Sequence, residues 1–263
     1  MQINMFSILR KTGRPSLFLA VTEAGRALTE LGINYPYQSF SKCPQEEADG
    51  HPVMVLPGFM STKSSTKLLR EHIAKLGYPV YDWGMGRNFG KMEYMADLVE
   101  RLEKIQDKHQ QKVSLIGWSL GGVFAREIAK ARPDLVRQVV TMGSPFQDIT
   151  HPNNVAWIYT LISGGKRVED TDWALLENMP KPAPVPTTAI YTKEDGIVPW
   201  HVCMELQVDN LHQNIQVRGS HFGLGVNSSV FWIIADRLKY DKSNWQHFKA
   251  ESYMKELLFY PSL

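Results

Sequence analysis

Cysteine, surplus charge and long apolar runs are all scarce in this chain. Two cysteines, Cys43 and Cys203, occur in 263 residues. That count excludes a disulfide scaffold and leaves two buried or idle thiols as the simpler reading. Lys plus Arg total 29 against 27 Asp plus Glu, a formal net charge of +2, so there is no broad basic footprint for nucleic acid. No run reaches the ~18–20 apolar residues of a membrane span. Ser16-Leu17-Phe18-Leu19-Ala20-Val21 follows Arg10, Lys11 and Arg14 but stops at Glu23 and Arg26. It falls short of a secretory apolar region of ~7–15 residues and lacks a small-residue cleavage site. The segment reads as an amphipathic helix opening a cytoplasmic protein, with peripheral membrane contact not expected. Internal repeats and low-complexity tracts are missing, and no Cys/His spacing resembles a metal site.

What is present is ordinary for a folded soluble protein: 43% hydrophobic and 21% charged residues. A chain of this size buries enough surface for one large core, so residues 1–263 read as a single domain. From Pro52 onward, short β-branched runs alternate with helical patterns. Strands are expected over 52–56, 79–83, 113–118, 136–142, 188–191 and 215–217. Helices are expected over 67–76, 92–106, 121–130 and 230–238. Strands separated by helices imply a mostly parallel sheet covered on both faces, with ligands bound beyond the carboxyl ends of its strands. The pattern breaks between Phe146 and Val185, where about forty residues end in a proline cluster; this reads as an inserted cap. The first ~50 residues read as a helical lead-in.

Gly117-Trp118-Ser119-Leu120-Gly121 matches G-x-S-x-G. The pentapeptide alone is weak, but here it follows a predicted strand and opens a predicted helix, the context the motif requires. Ser119 must occupy a tight strained turn, and the flanking glycines remove side chains that would collide with neighbouring elements. The helix N-terminus beyond it favours negative charge. A serine hydroxyl needs a base, and the base an orienting carboxylate. Asp195-Gly196 follows one late strand and His221, within Gly219-Ser220-His221-Phe222-Gly223, follows the next. Among the other histidines none sits directly after a late strand before a small-residue loop. Glu194 reads as a solvated neighbour of Asp195.

Together these features resemble the α/β-hydrolase superfamily, particularly its small serine lipases and esterases, over roughly His51 to Lys239. The resemblance implies a three-layer α/β-hydrolase fold with a mostly parallel central sheet, helices on both faces and a small cap over about 146–185. It implies Ser119 as nucleophile, His221 as general base and acid, and Asp195 as the carboxylate that fixes the histidine tautomer. The N–H groups of Phe59 and Leu120 would form the oxyanion hole. Many relatives carry His-Gly where this chain has Pro57-Gly58, a change that leaves the Phe59 N–H free to donate. The polyester synthases, which share the elbow, use Cys where Ser119 stands here.

Trp118, Trp157, Tyr159 and Phe222 are candidates for lining an acyl pocket. Gly84-Met85-Gly86-Arg87-Asn88-Phe89-Gly90 fails the dinucleotide spacing, because Phe89 takes the third glycine position. Arg87 and Asn88 are read as loop-packing residues beside the pocket, with substrate contact as the lesser alternative. The expected activity is hydrolysis of small-molecule or lipid carboxylic esters through an acyl-enzyme, without cofactor, metal or nucleic acid. Acyl transfer or thioester cleavage by the same triad, and a non-catalytic binding module, are the alternatives.

Overall fold

The computed structural model describes residues 15–40, 48–147, 177–250 and 261. A long helix α1 (Leu17–Phe40) precedes β1 (Val53–Leu56), α2 (Lys67–Lys75), β2 (Val80–Asp82), α3 (Tyr94–His109), β3 (Val113–Trp118) and α4 (Leu120–Ala131). There follow β4 (Val136–Met142), β5 (Thr187–Tyr191), β6 (His212–Gln216) and α5 (Ser228–Arg237). All the strand pairings are parallel, and the sheet order is β2-β1-β3-β4-β5-β6.

The period of two along β1 separates the layers. Met54 and Leu56 join a core with Leu98, Leu102 and Ile105 of α3 and Val123, Phe124 and Ile128 of α4. Val53 and Val55 point the other way, into a core with Leu69 and Ile73 of α2 and Phe231 and Ile234 of α5. Both faces of each central strand are thus buried, which explains its continuous apolar runs. The chain moves from β1 outward to β2, then back past β1 to β3. This reversal opens a crevice at the carboxyl ends of β1 and β3, where α/β sheets bind ligands.

Two elements differ from their sequence pattern. The last strand begins at His212 rather than Ile215. Its polar start is held by side-chain amides that act as extra ladder rungs. Gln213 donates to Phe248 O (3.0 Å) and accepts from Phe248 N (2.7 Å). Asn214 exchanges the same two bonds with Glu205, at 2.8 and 2.7 Å. Helix α1 is amphipathic but inverted: Glu23 is buried, while Leu17, Val21 and Leu28 are 79%, 76% and 69% exposed. The expected cap lies mostly outside the described residues, as does Cys43; Cys203 is a free, buried thiol. Among the described residues, no helix is long and apolar enough to cross a membrane.

Candidate active site

Ser119 stands at the crevice, between the end of β3 and the start of α4. Its backbone adopts φ +53° and ψ −124°, a conformation costing about 1–3 kcal/mol for a non-glycine residue. Neighbouring backbone enforces it. The Ser119 N–H is fixed on Met142 O at 2.8 Å. A Cβ at Gly121 would overlap the Leu56 carbonyl, and one at Gly117 would overlap the backbone of Gly122. The turn can therefore be this tight only with glycine at both positions.

The loop after β1 lies against this turn: a Cβ at Gly58 would stand 3.2 Å from Ser119 Cβ. Among the described residues, neither the Phe59 nor the Leu120 N–H is engaged by an acceptor. Around Phe59 several other groups are occupied. Asn88, fully buried, donates from Nδ2 to Pro57 O at 2.8 Å. Its backbone accepts from Met60 N (2.7 Å) and donates to Ser61 O (2.9 Å), while its Oδ1 accepts from Gly90 N at 3.0 Å. Arg87 adds a bond from Nη1 to Met60 O at 2.6 Å. Both residues brace the Phe59 loop.

Asn88→Ala keeps the backbone bonds but strands Pro57 O and the Gly90 N–H. The expected outcome is about 1–3 kcal/mol of lost stability from these unpaired groups. If the Phe59 N–H is the oxyanion donor that the resemblance implies, its drift should also lower kcat roughly 10-fold or more, with KM near wild type. Chemical denaturation and steady-state kinetics on one preparation would check both.

Asp195 and His221 end adjacent loops after β5 and β6. His221 Nδ1 lies 2.7 Å from Asp195 Oδ2. A carboxylate only accepts, so Nδ1 carries the proton and Nε2 is left as the basic nitrogen. Asp195 Oδ1 is held by the N–H groups of Ile197 (2.8 Å) and Val198 (2.6 Å). Burial pulls the His221 pKa down, but the charge and hydrogen bond of Asp195, with the charge of Glu23, outweigh it and hold the pKa above the ordinary histidine value. Burial, and then the charge of Asp195, push the Cys203 thiol well up, so it stays protonated.

Trp118, next to Ser119, donates from its indole Nε1 to His221 O at 3.1 Å, which ties the histidine loop to the elbow. The His221 ring also lies against Gly143 at the end of β4, where a Cβ would stand 3.1 Å from Nδ1. Among the described residues no hydrogen bond joins the Ser119 hydroxyl to the imidazole, and such bonds commonly tighten only when substrate binds.

The other candidates divide. Trp118 packs between the elbow and the histidine loop, and its polar edge is spent on His221 rather than offered to a pocket. Phe222 is 46% exposed beside His221. Trp157 and Tyr159 lie outside the described residues. Glu194 is half-exposed and accepts from Gly219 N at 3.1 Å. Sequence reasoning missed Glu23, whose carboxylate reaches the backbone of both loops.

A second Ser-His-Asp set exists at the opposite end of β3. His51 contacts Asp49 at 2.6 Å through Nδ1 and Ser114 Oγ at 2.7 Å through Nε2. Burial lowers the His51 pKa despite Asp49, so the neutral ring accepts from the Ser114 hydroxyl. Ser114 and His51 are both 0% exposed, which denies a substrate any approach. This set anchors a loop to the sheet. Among the described residues no cluster of His, Cys, Asp and Glu could hold a metal.

Comparison with known proteins bears on the fold that carries this arrangement. The family model described as the alpha/beta hydrolase fold matches residues 51–172. Pimeloyl-acyl-carrier protein methyl ester esterase of Yersinia pestis is 34% identical over 62 residues, which covers 24% of this chain and 22% of that protein. Among solved structures, that of the metagenome-derived lipolytic enzymes LipS and LipT matches with TM-score 0.56 and 17% identity, covering 72% of this chain and 92% of the other. Aspergillus fumigatus lipase B matches with TM-score 0.57 and 16% identity, covering 76% and 55%. At such identities the structures share the fold.

Proposed function

We propose that this chain, which has the α/β-hydrolase fold, is a member of that superfamily and a serine hydrolase that cleaves carboxylic esters. The observation that carries the reading is one juxtaposition. A strained serine opens a helix beside free N–H groups, and a buried histidine with its Nδ1 proton on Asp195 is tied to the same elbow. The partial relative and the structural neighbours named above are esterases and lipases, in keeping with that chemistry.

In this reading the Ser119 Oγ attacks the acyl carbonyl while its proton passes to His221 Nε2. The Oγ–C bond forms and the carbonyl π pair moves to oxygen, where the Phe59 and Leu120 N–H groups receive it. Losing one such donor typically costs about 2.7–4 kcal/mol of barrier. Collapse breaks the ester C–O bond, and the imidazolium returns its proton to the leaving alcohol. Water then repeats the sequence on the acyl-serine, releasing the acid. Asp195 stays ionised throughout and stabilises the transient imidazolium.

The test is hydrolysis of a p-nitrophenyl acyl ester series together with stoichiometric fluorophosphonate labelling. Because His221 must be neutral to take the proton, kcat/KM falls as pH drops through its pKa. That acid limb is expected above the ordinary histidine value of 6.5, since the net effect of its surroundings is upward. Folded protein that neither hydrolyses the esters nor takes the label would sink the reading. Faster transfer to an added alcohol than to water would make it an acyltransferase.

A further inference from the structure

Helix α1 lies outside residues 51–172, the stretch matched to the family, yet it reaches both loops of the candidate triad. It docks through polar groups. Glu23 and Glu30, two turns apart, face the protein, while the apolar residues of the opposite side stand in the open. A helix held for packing alone would bury its apolar stripe.

Glu23 is 1% exposed, and its two oxygens are fully committed. Oε1 accepts from Gly196 N at 2.7 Å and His221 N at 3.2 Å; Oε2 accepts from Phe222 N at 3.2 Å. Gly196 directly follows Asp195, so one carboxylate bridges the acid loop to the histidine itself. Arg26 closes the arrangement, from Nη2 to Glu23 Oε1 (2.9 Å) and from Nη1 to Glu194 O (2.8 Å). Glu30 adds Ser220 N at 2.7 Å and Asn227 Nδ2 at 3.2 Å. The close approach needs small residues beneath the helix. A Cβ at Gly196 would overlap the backbone of Leu19, and one at Gly223 would overlap the Glu30 carboxylate.

We propose that Glu23 is a positioning residue for Asp195 and His221, fixing the spacing of their loops and placing a second negative charge against the backbone of His221. This rests on the hydrolase reading above for its consequence in catalysis, though not for its effect on the ring. Among the described residues, the charged groups facing His221 are Asp195 and Glu23. Arg26 is paired with Glu23, Glu30 is spent on Ser220 and Asn227, and Glu194 on Gly219. The neighbours from β4 and the histidine loop, Gly143 and Leu224, bring no charge.

The test uses the full chain and two variants. E23Q keeps the reach of the side chain but loses its charge and turns an amide N–H₂ toward backbone donors. Its kcat on a p-nitrophenyl ester should fall about 10- to 100-fold with KM near wild type. The NMR titration of the His221 ring should also move to lower pH, a shift that a merely structural role would not produce. E23D keeps the charge and loses a methylene: kcat should fall while the titration stays near wild type. Wild-type kcat and an unmoved ring titration in both variants would overturn the proposal. The titration is read equally in a Ser119→Ala background, so it judges Glu23 even if the wild-type chain hydrolyses no ester.

Discussion

Ser119→Ala is expected to lower kcat on p-nitrophenyl esters by roughly 10⁴–10⁶-fold while leaving the fold as stable as before. The two halves of this prediction have separate causes. Activity falls because the hydroxyl supplies the attacking atom, and whatever survives reflects only binding and the free N–H groups at the elbow. Stability holds because the Oγ has no hydrogen-bond partner among the described residues, so truncation leaves no group unpaired. The positive φ of +53° is also no worse for alanine than for serine. A change within about 0.5 kcal/mol is expected. Ser119→Gly should go further and stabilise the chain by about 1 kcal/mol, since glycine adopts that φ without strain. Rate measurements paired with denaturation curves would show stability and activity moving apart, the mark of a strained functional turn. Retention of more than about one percent of wild-type kcat in the alanine variant would place the nucleophile elsewhere.

The strained turn was legible because its cause is local. Glycines spaced two residues either side of a serine, after a β-branched run and before a helical one, constrain the backbone within a single turn. The strand boundaries at Val113–Trp118 and Val136–Met142 were legible for the same reason, since buried parallel strands carry their own apolar signature. Asp195 and His221 followed from their positions after consecutive strands. The supports of these residues were not legible. Glu23 lies 173 positions from the Gly196 N–H it binds, and no local pattern carries a contact across that distance. The apolar residues beside it also suggest an ordinary amphipathic helix, whereas the buried side proves to be the polar one. The start of β6 was hidden because Gln213 and Asn214 read as loop residues. Their amides complete bonds to Phe248 and Glu205 that exist only in the folded chain.

Asp195→Asn is expected to cost about 10⁴-fold in kcat/KM near neutral pH, with the fold intact. The size follows from which way the new amide must face. Oδ1 of Asp195 accepts from two backbone donors, the N–H groups of Ile197 and Val198, while among the described residues Oδ2 meets only His221 Nδ1. An asparagine keeps its carbonyl oxygen on the pair of N–H groups, because the opposite orientation would set N–H₂ against both. Its N–H₂ then faces Nδ1 and donates to it, which forces the ring proton onto Nε2. The nitrogen that should take the Ser119 proton is thereby occupied, and the negative charge that stabilises the imidazolium is gone. The ring pKa, held up against burial chiefly by Asp195, should fall at the same time. Two signals report this: the NMR shifts of the two ring nitrogens exchange their protonated and bare character, and fluorophosphonate labelling slows in step with hydrolysis. Glu194→Gln provides the contrast. That side chain is half-exposed and binds Gly219 N and Arg218, so its loss should change kcat/KM by no more than a few-fold. A large loss in Glu194→Gln with little in Asp195→Asn would transfer the orienting role to Glu194 and undo the assignment.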